Sequence, residues 1–238
     1  MPSWTDFTPE SFADAIAAWG HSRVHAPRLL RTFYNDGGRI DLSDRQIGNA
    51  LRVKLQTEIT FRQSHVMHNV RSADGTQRLL VGLAAGGAVE TVLMPSHKPD
   101  RAAGCVSSQI GCAMGCDFCA STRAGLQRSL TSGEIVEQFL HLKEAAAKEG
   151  RRLITLVFMG QGEPMHNLDN VMAAIRRIAG PNLGAMGWRH ITVSTVGVVP
   201  GIDRLANSGL GVHLAVSLHA PDDETRSRIV PSLSLIHI

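Results

Sequence analysis

The chain has 238 residues, enough for one large domain and a small one. Hydrophobic residues at 43% and charged residues at 19% exclude a disordered or fibrous chain, and no stretch approaches the roughly 20 apolar residues of a membrane-spanning helix. The formal net charge of +3 decides little, but from His21 to Arg62 eight basic residues stand against four acidic ones, a stretch that is either a phosphate-binding face or an ordinary solvated surface.

The N-terminal part reads as helical. Thr8 caps a helix with Pro9 at its first position, and Phe12, Ile16 and Trp19 recur at spacings of four and three. Pro27 opens a second helix carrying Leu29, Leu30 and Phe33, closed by Asn35-Asp36-Gly37-Gly38. A third runs from about Asp44, with Ile47, Leu51 and Leu55 on one face. Residues 1–58 are thus expected to form a small helical accessory domain with a basic exterior. A β-meander follows over residues 59–97, with strands at Thr60 to Arg71, Gln77 to Ala84 and Ala88 to Met94. Its turns are Ser72 to Gly75 and Ala85 to Gly87, and Pro95 stops the last strand. His97 to Gly104 reads as a linker.

From Cys105 the pattern changes to strands alternating with helices. Cys105 to Ile110 is a short strand ending at a cysteine loop. Thr131 to Glu134 is a capping box, and the helix behind it buries Ile135, Phe139, Leu142 and Ala146 before Gly150 ends it. Leu153 to Met159 is a continuous apolar strand. Asn167 to Ala179 is a helix with Val171, Ile175 and Ile178 inward, stopped by Gly180-Pro181. His190 to Ser194 and Val212 to Ser217 are strands; Gly201 to Asn207 and Asp222 to Ile229 are helices. Apolar strands between amphipathic helices predict an α/β fold, a partial (βα) barrel of about four βα units over residues 98–231. Residues 232–238 have no partner in this scheme, and the chain is expected to stop mid-fold.

Met1 to Gly20 shows no basic start followed by an apolar run, so a cytoplasmic protein is expected, with its cysteines read as metal ligands or redox groups. Three of the four cysteines fall in Gly-Cys-Ala-Met-Gly-Cys-Asp-Phe-Cys, where Cys112, Cys116 and Cys119 share one tight loop after a strand. Gly111 and Gly115 let the backbone turn and approach a cluster. A cubane cluster normally takes four thiolates. Three leave one iron open to the amino and carboxylate groups of S-adenosylmethionine, whose sulfonium then breaks to a 5′-deoxyadenosyl radical. A structural zinc site, with Cys105 or a histidine as fourth ligand, competes with this reading, but no second ligand pair is present. Phe118, just before the last cysteine, matches the radical S-adenosylmethionine (radical SAM) pattern.

Gly160-Gln161-Gly162-Glu163-Pro164 ends the Leu153 strand, at the place where α/β folds bind ligands. Glycines there allow backbone contact, and Glu163 can accept from the cofactor's ammonium group. Ser194 and Ser217-Leu218-His219 end the next two strands. His219 alone reads as a structural histidine; among several strand-end polar groups it becomes a cofactor contact.

On these residues the chain resembles the adenine-C2 RNA methyltransferases of the RlmN type, from about Arg28 to Pro231. The most specific stretch is Cys105 to Cys119; Leu130 to Gln138, Gly160 to Pro164, Ser194 to Pro200 and Ser217 to Pro221 are also family-like. The resemblance implies a [4Fe-4S] cluster on Cys112, Cys116 and Cys119, with Gly162, Glu163, Ser194, Ser217, Leu218 and His219 binding S-adenosylmethionine. It implies methylation of adenosine carbon 2 in 23S rRNA and tRNA through a methyl-cysteine, with Glu90 as proton acceptor and Cys105 as the resolving cysteine that forms a disulfide. By itself Glu90 reads as an exposed charge. The basic helical domain would grip RNA by shape and phosphate contacts, and the target adenine must leave its stack. A flavodoxin-like electron donor and a monomeric state complete the expectation.

Three positions depart from the family. Val196 stands where a serine is common, no cysteine follows Cys119 to carry the methyl group, and the downstream asparagine that contacts the cofactor is missing. The chain is therefore expected to ligate a cluster without methylating RNA. A sibling enzyme that methylates adenine C8 and a non-catalytic RNA-binding module are the competing readings.

Overall fold

The computed structural model describes residues 1–44 and 47–231. The predicted helix start near Asp44 runs into Arg45 and Gln46, and the predicted tail comprises residues 232–238; both lie outside the described residues. The N-terminal helices are α1 (Pro9–Ala18), α2 (His25–Asn35) and α3 (Asn49–Glu58). Thr8 caps α1 reciprocally with Ser11, and Pro9 takes the first turn, where its missing N–H costs nothing. Helix α2 begins two residues before Pro27, which its first turn accommodates for the same reason. Helices α1 and α2 close over Trp4, which stacks on Phe33 at 5.2 Å and meets Phe12 at 5.0 Å.

Strands β1 (His65–Arg71), β2 (Gln77–Gly82), β3 (Ala88–Pro95) and β4 (Arg101–Cys105) pair antiparallel in succession. A bulge interrupts the β1–β2 register between Val66 and His68. Next comes a separate hairpin of β5 (Gln109–Gly111) and β6 (Leu126–Ser129), then α4 (Ser132–Lys148). Parallel strands β7 (Arg152–Phe158), β8 (Ile191–Thr195) and β9 (His213–Val216) alternate with α5 (Leu168–Ala179), α6 (Val199–Ala206) and α7 (Asp223–Ile229). The main sheet runs β1-β2-β3-β4-β7-β8-β9, so the meander and the parallel strands share one sheet. Strands β4, β7, β8 and β9, each with its helix, are the four expected βα units.

The expected linker at 97–104 contains a strand instead. Gly104 pairs with Leu93 on one side and Leu156 on the other. Arg-Ala-Ala-Gly carries little strand preference, and its small side chains answer to packing. A Cβ on Gly104 would sit 2.7 Å from Leu142 Cδ1 of α4. The expected strand from Cys105 to Ile110 is likewise divided. Its middle, Val106 to Ser108, leaves the ladder because Ser107 and Ser108 bond to α4 and to the loop after β7.

One sheet face is covered by helices. Val89, Thr91 and Leu93 of β3, Ala102 of β4, Leu156 and Phe158 of β7, and Ile191 and Val193 of β8 are buried there. The register places Val92, Cys105, Val157, Thr192 and His213 side by side across five strands on the opposite, open face. Glu90 and Ser194 lie on that face two residues along β3 and β8, toward the carboxyl ends of the parallel strands.

Helix α4 is fixed to the helical layer by polar groups it buries. Glu137 accepts from the backbone N–H of Gln63 and Ser64 at 2.8 and 2.7 Å. His141 contacts Arg62 through Nδ1 at 3.2 Å and Ser64 Oγ through Nε2 at 2.9 Å. Arg62 can only donate, so Nδ1 accepts and the ring is neutral. Burial, then the Arg62 charge, depresses the His141 pKa from 6.5 to about 4. Between those values the unfolded chain binds a proton that the folded chain refuses. Stability is therefore complete above pH 6.5 and falls as pH drops toward 4, by up to roughly 3 kcal/mol. Replacing His141→Gln should flatten this part of the dependence, read as thermal midpoints of both proteins at pH 7 and pH 5.

Candidate active site at the carboxyl ends of the strands

Two backbone segments interlock where β4 and β7 end. Ser108 and Gln109 both donate their N–H to Gln161 O, at 2.8 and 3.2 Å, and Gly160 N donates to Val106 O. Gln161 N donates to Ser107 Oγ at 2.9 Å, and Glu163 N to Gln109 Oε1 at 2.9 Å. Gln138, fully buried on α4, holds Ser107 at both its N–H and its carbonyl. Neither glycine of the loop tolerates a side chain here. A Cβ on Gly160 would sit 2.5 Å from Ser107 Oγ, and one on Gly162, at φ +95°, would sit 2.5 Å from Gln109 Cβ and 2.8 Å from its N.

The cysteine loop is turned by Gly111 and Gly115, at φ +74° and +72°. A Cβ on Gly111 would lie 1.9 Å from Gly125 O, so the loop's two ends touch backbone to backbone. Within it Cys119 N donates to Cys116 O, and Thr122 Oγ1 donates to the carbonyls of both cysteines. Cys112 and Cys116 are buried, and burial pushes both thiols up from their ordinary pKa. Ionising them takes a nearby positive charge, which a bound metal provides.

Cys112, Cys116 and Cys119 line one cavity of about 330 Å³ together with Gly162, Glu163, Ser194, Ser217 and His219. Glu163 is 3% exposed and already accepts two backbone N–H bonds, Met165 N to Oε1 and Val196 N to Oε2, both at 3.0 Å. Its remaining lone pairs are free for a further donor. Ser194 Oγ and Ser217 Oγ stand 3.4 Å apart. His219 is held at φ +64°, rare for a residue with a Cβ, and its ring packs on Phe118 at 4.6 Å. A larger cavity of about 550 Å³ lies at the amino end of β7, beside Asp36 and Lys143, and contains none of the predicted residues.

Three predicted residues stand apart from the cavity wall. Leu218 points to solvent, and its carbonyl accepts from Arg226. Glu90 and Cys105 lie on the open sheet face; the Glu90 carboxylate is 3.5 Å from Arg78, and burial raises the Cys105 thiol. All four cysteines are free thiols, and the expected disulfide is not found: its second member, a methyl-carrying cysteine downstream of Cys119, is not among them. Among the described residues no three His, Cys, Asp or Glu side chains converge on a single metal ion. Sequence reasoning missed Gln109, Gln138 and Asn167, which brace the loops. Polar residues such as Ser107 to Gln109 inside an otherwise apolar run were the available signal. Nothing in the sequence marked Arg226.

Residues 106–234 match the Radical SAM superfamily. A probable dual-specificity RNA methyltransferase RlmN 1 of Opitutus terrae is 51% identical over 231 residues, which cover 97% of this chain and 65% of that protein. A dual-specificity RNA methyltransferase RlmN 1 of Myxococcus xanthus is 41% identical over 98% of this chain and 66% of its own. The crystal structure of a radical SAM methyltransferase from Sphaerobacter thermophilus matches with a TM-score of 0.89 at 39% identity, covering 97% of this chain and 67% of that one. This chain belongs to the RlmN-type family of the radical SAM superfamily. It spans about two thirds of the length of these relatives. In this RlmN-type chain the cysteine loop and the strand-end groups meet at one cavity.

The interlocked loops make Gly162 a sensitive position. Gly209→Ala also places a Cβ at positive φ, but in open space, and should lower the thermal midpoint by about 2–4 °C. Gly162→Ala adds the collision with Gln109 and should lower it at least twice as far, measured side by side by calorimetry.

Proposed function

We propose that this chain is the cofactor-binding core of a radical SAM RNA methyltransferase acting on carbon 2 of adenosine in 23S rRNA and tRNA. The observation that carries the reading is the cavity shared by three free thiols, a buried carboxylate and two strand-end hydroxyls. Those residues fit a [4Fe-4S] cluster with S-adenosylmethionine. Cys112, Cys116 and Cys119 give three thiolates, where a cubane normally takes four, and the polar groups for the cofactor lie across the same space. The bound pair supplies the electron and the adenosyl group that start radical chemistry.

The chain's own residues then bind and orient. Glu163, fixed by two backbone donors, turns its spare lone pairs to the cofactor's ammonium group. Gly162 brings backbone within contact, Ser194 and Ser217 offer paired hydroxyls, and Phe118 with His219 forms an aromatic wall at the rim. Leu218 contributes through its backbone. On the open sheet face, Glu90 serves as acceptor for the carbon-2 proton and Cys105 as the resolving thiol. The basic residues between His21 and Arg62 meet RNA phosphates, an electron donor of the flavodoxin class reduces the site, and the protein works as a cytoplasmic monomer. Residues 59–97 connect the helical domain of residues 1–58 to the core at 98–231.

Anaerobic reconstitution with iron and sulfide tests this. The wild-type chain should turn brown and take up about three to four irons. Alanine at Cys112, Cys116 or Cys119 should abolish the colour, and Cys105→Ala should leave it. A chain that binds one zinc and no iron would overturn the reading. Mass spectrometry of adenosine from RNA treated with the full-length protein separates methylation at C2 from C8.

A further inference from the structure

Helix α7 is only seven residues long, yet its Arg226 is 1% exposed, among the largest fully buried side chains of the protein. A guanidinium in such a place needs hydrogen-bond acceptors for its donors. Its Nε donates to Leu218 O at 3.1 Å, and its Nη2 donates to Val196 O. These carbonyls belong to two different turns, one after β8 and one after β9.

The turn after β9 carries Ser217, Leu218 and His219, assigned above to the cofactor, and the turn after β8 holds the carboxylate of Glu163. The Val196 peptide is held from two sides, because its N–H donates to Glu163 Oε2 at 3.0 Å while its carbonyl faces Arg226. Leu218 O also accepts from Ala220 N at 2.9 Å, closing a tight turn around His219 at its positive φ. A conformation of that kind persists only when its surroundings fix it. The carboxyl end of the same helix reaches the cysteine loop. Asp117 N donates to Ile229 O at 3.0 Å, and Val230, fully buried, packs with Cys112, Met114 and Cys116.

We propose that Arg226 is a positioning residue for S-adenosylmethionine: its planar fork ties the turns of Val196 and Leu218-His219 together and to the helix that backs the cysteine loop. This rests on the functional reading above. Two donors in fixed relative orientation are needed, which Arg supplies and the single ammonium of Lys does not. The residue touches no reacting atom; it acts through Glu163, Ser217 and His219.

The test uses the reconstituted chain with Arg226→Lys, Arg226→Met and, as a control exposed on the same helix, Arg228→Met. Iron per chain, thermal midpoint, S-adenosylmethionine affinity by equilibrium dialysis, and the change in the reduced cluster's electron paramagnetic resonance spectrum on adding S-adenosylmethionine are measured. The expected result is wild-type iron content in all three variants. In both Arg226 variants affinity should be at least tenfold weaker and the cofactor-induced spectral change lost, while Arg228→Met matches wild type. Affinity within twofold of wild type in Arg226→Lys and Arg226→Met overturns the assignment while leaving the functional reading intact. Loss of fold in both variants also overturns it, since the residue is then a determinant of folding. A wild-type chain that takes up no cluster overturns the functional reading and this inference with it.

Discussion

The site depends on one crossing of two backbones, where Val106 to Gln109 passes against Gly160 to Glu163. The contact is made by peptide groups and short side chains, and two glycines leave the space for it. Its hydrogen bonds are buried, so each donor or acceptor left unpaired would carry a full desolvation cost. That cost is what makes the crossing specific. The carboxyl ends of β4 and β7 cannot separate without exposing Ser107, Gln109 and Gln161, and with them the footing of the cysteine loop and of Glu163.

From this crossing the order spreads in both directions. Toward the helices, Gln138 and Asn167 take up the carbonyls of Ser107, Ser108 and Leu130 and so register α4 and the turn before α5 against the loop. Toward the cavity, Glu163 passes the constraint to Val196. A carboxylate buried to this depth is usually costly to keep; here its backbone partners offset that cost and fix the angle at which it meets the cavity. The covered sheet face is largely apolar, while the open face leaves Glu90, Cys105 and Ser194 partly exposed. Stability and chemistry are thus segregated to opposite sides of one sheet.

Much of this was legible in the sequence where a local rule has one strong solution. Thr131 and Glu134 form the reciprocal cap their spacing announces, and Leu153 to Met159 reads as a buried parallel strand because apolarity on both faces leaves little else. The cysteine spacing pointed to the cavity, and Gly162, Glu163, Ser194, Ser217 and His219 followed from strand ends. What escaped notice depends on partners distant in sequence. Arg101 to Gly104 hides as a linker because Gly104 is chosen by Leu142 and Leu153 packed against it. Trp4, at the centre of the helical layer, has no periodic neighbours to mark it. Arg226 looks like one more surface cation on a short helix, and only the fold reveals the two carbonyls that bury it.

Strand β1 forms one margin of the sheet, and all seven of its residues are exposed, Val66, Met67 and Val70 among them. A margin of that kind offers an outward row of N–H and C=O groups on which a second strand could grow. The bulge between Val66 and His68 breaks that row near its start and increases the local twist. A strand arriving from another molecule finds only a short run in register before the ladder fails. The irregularity thereby shortens the run of this edge that another strand could pair with beside its exposed apolar side chains.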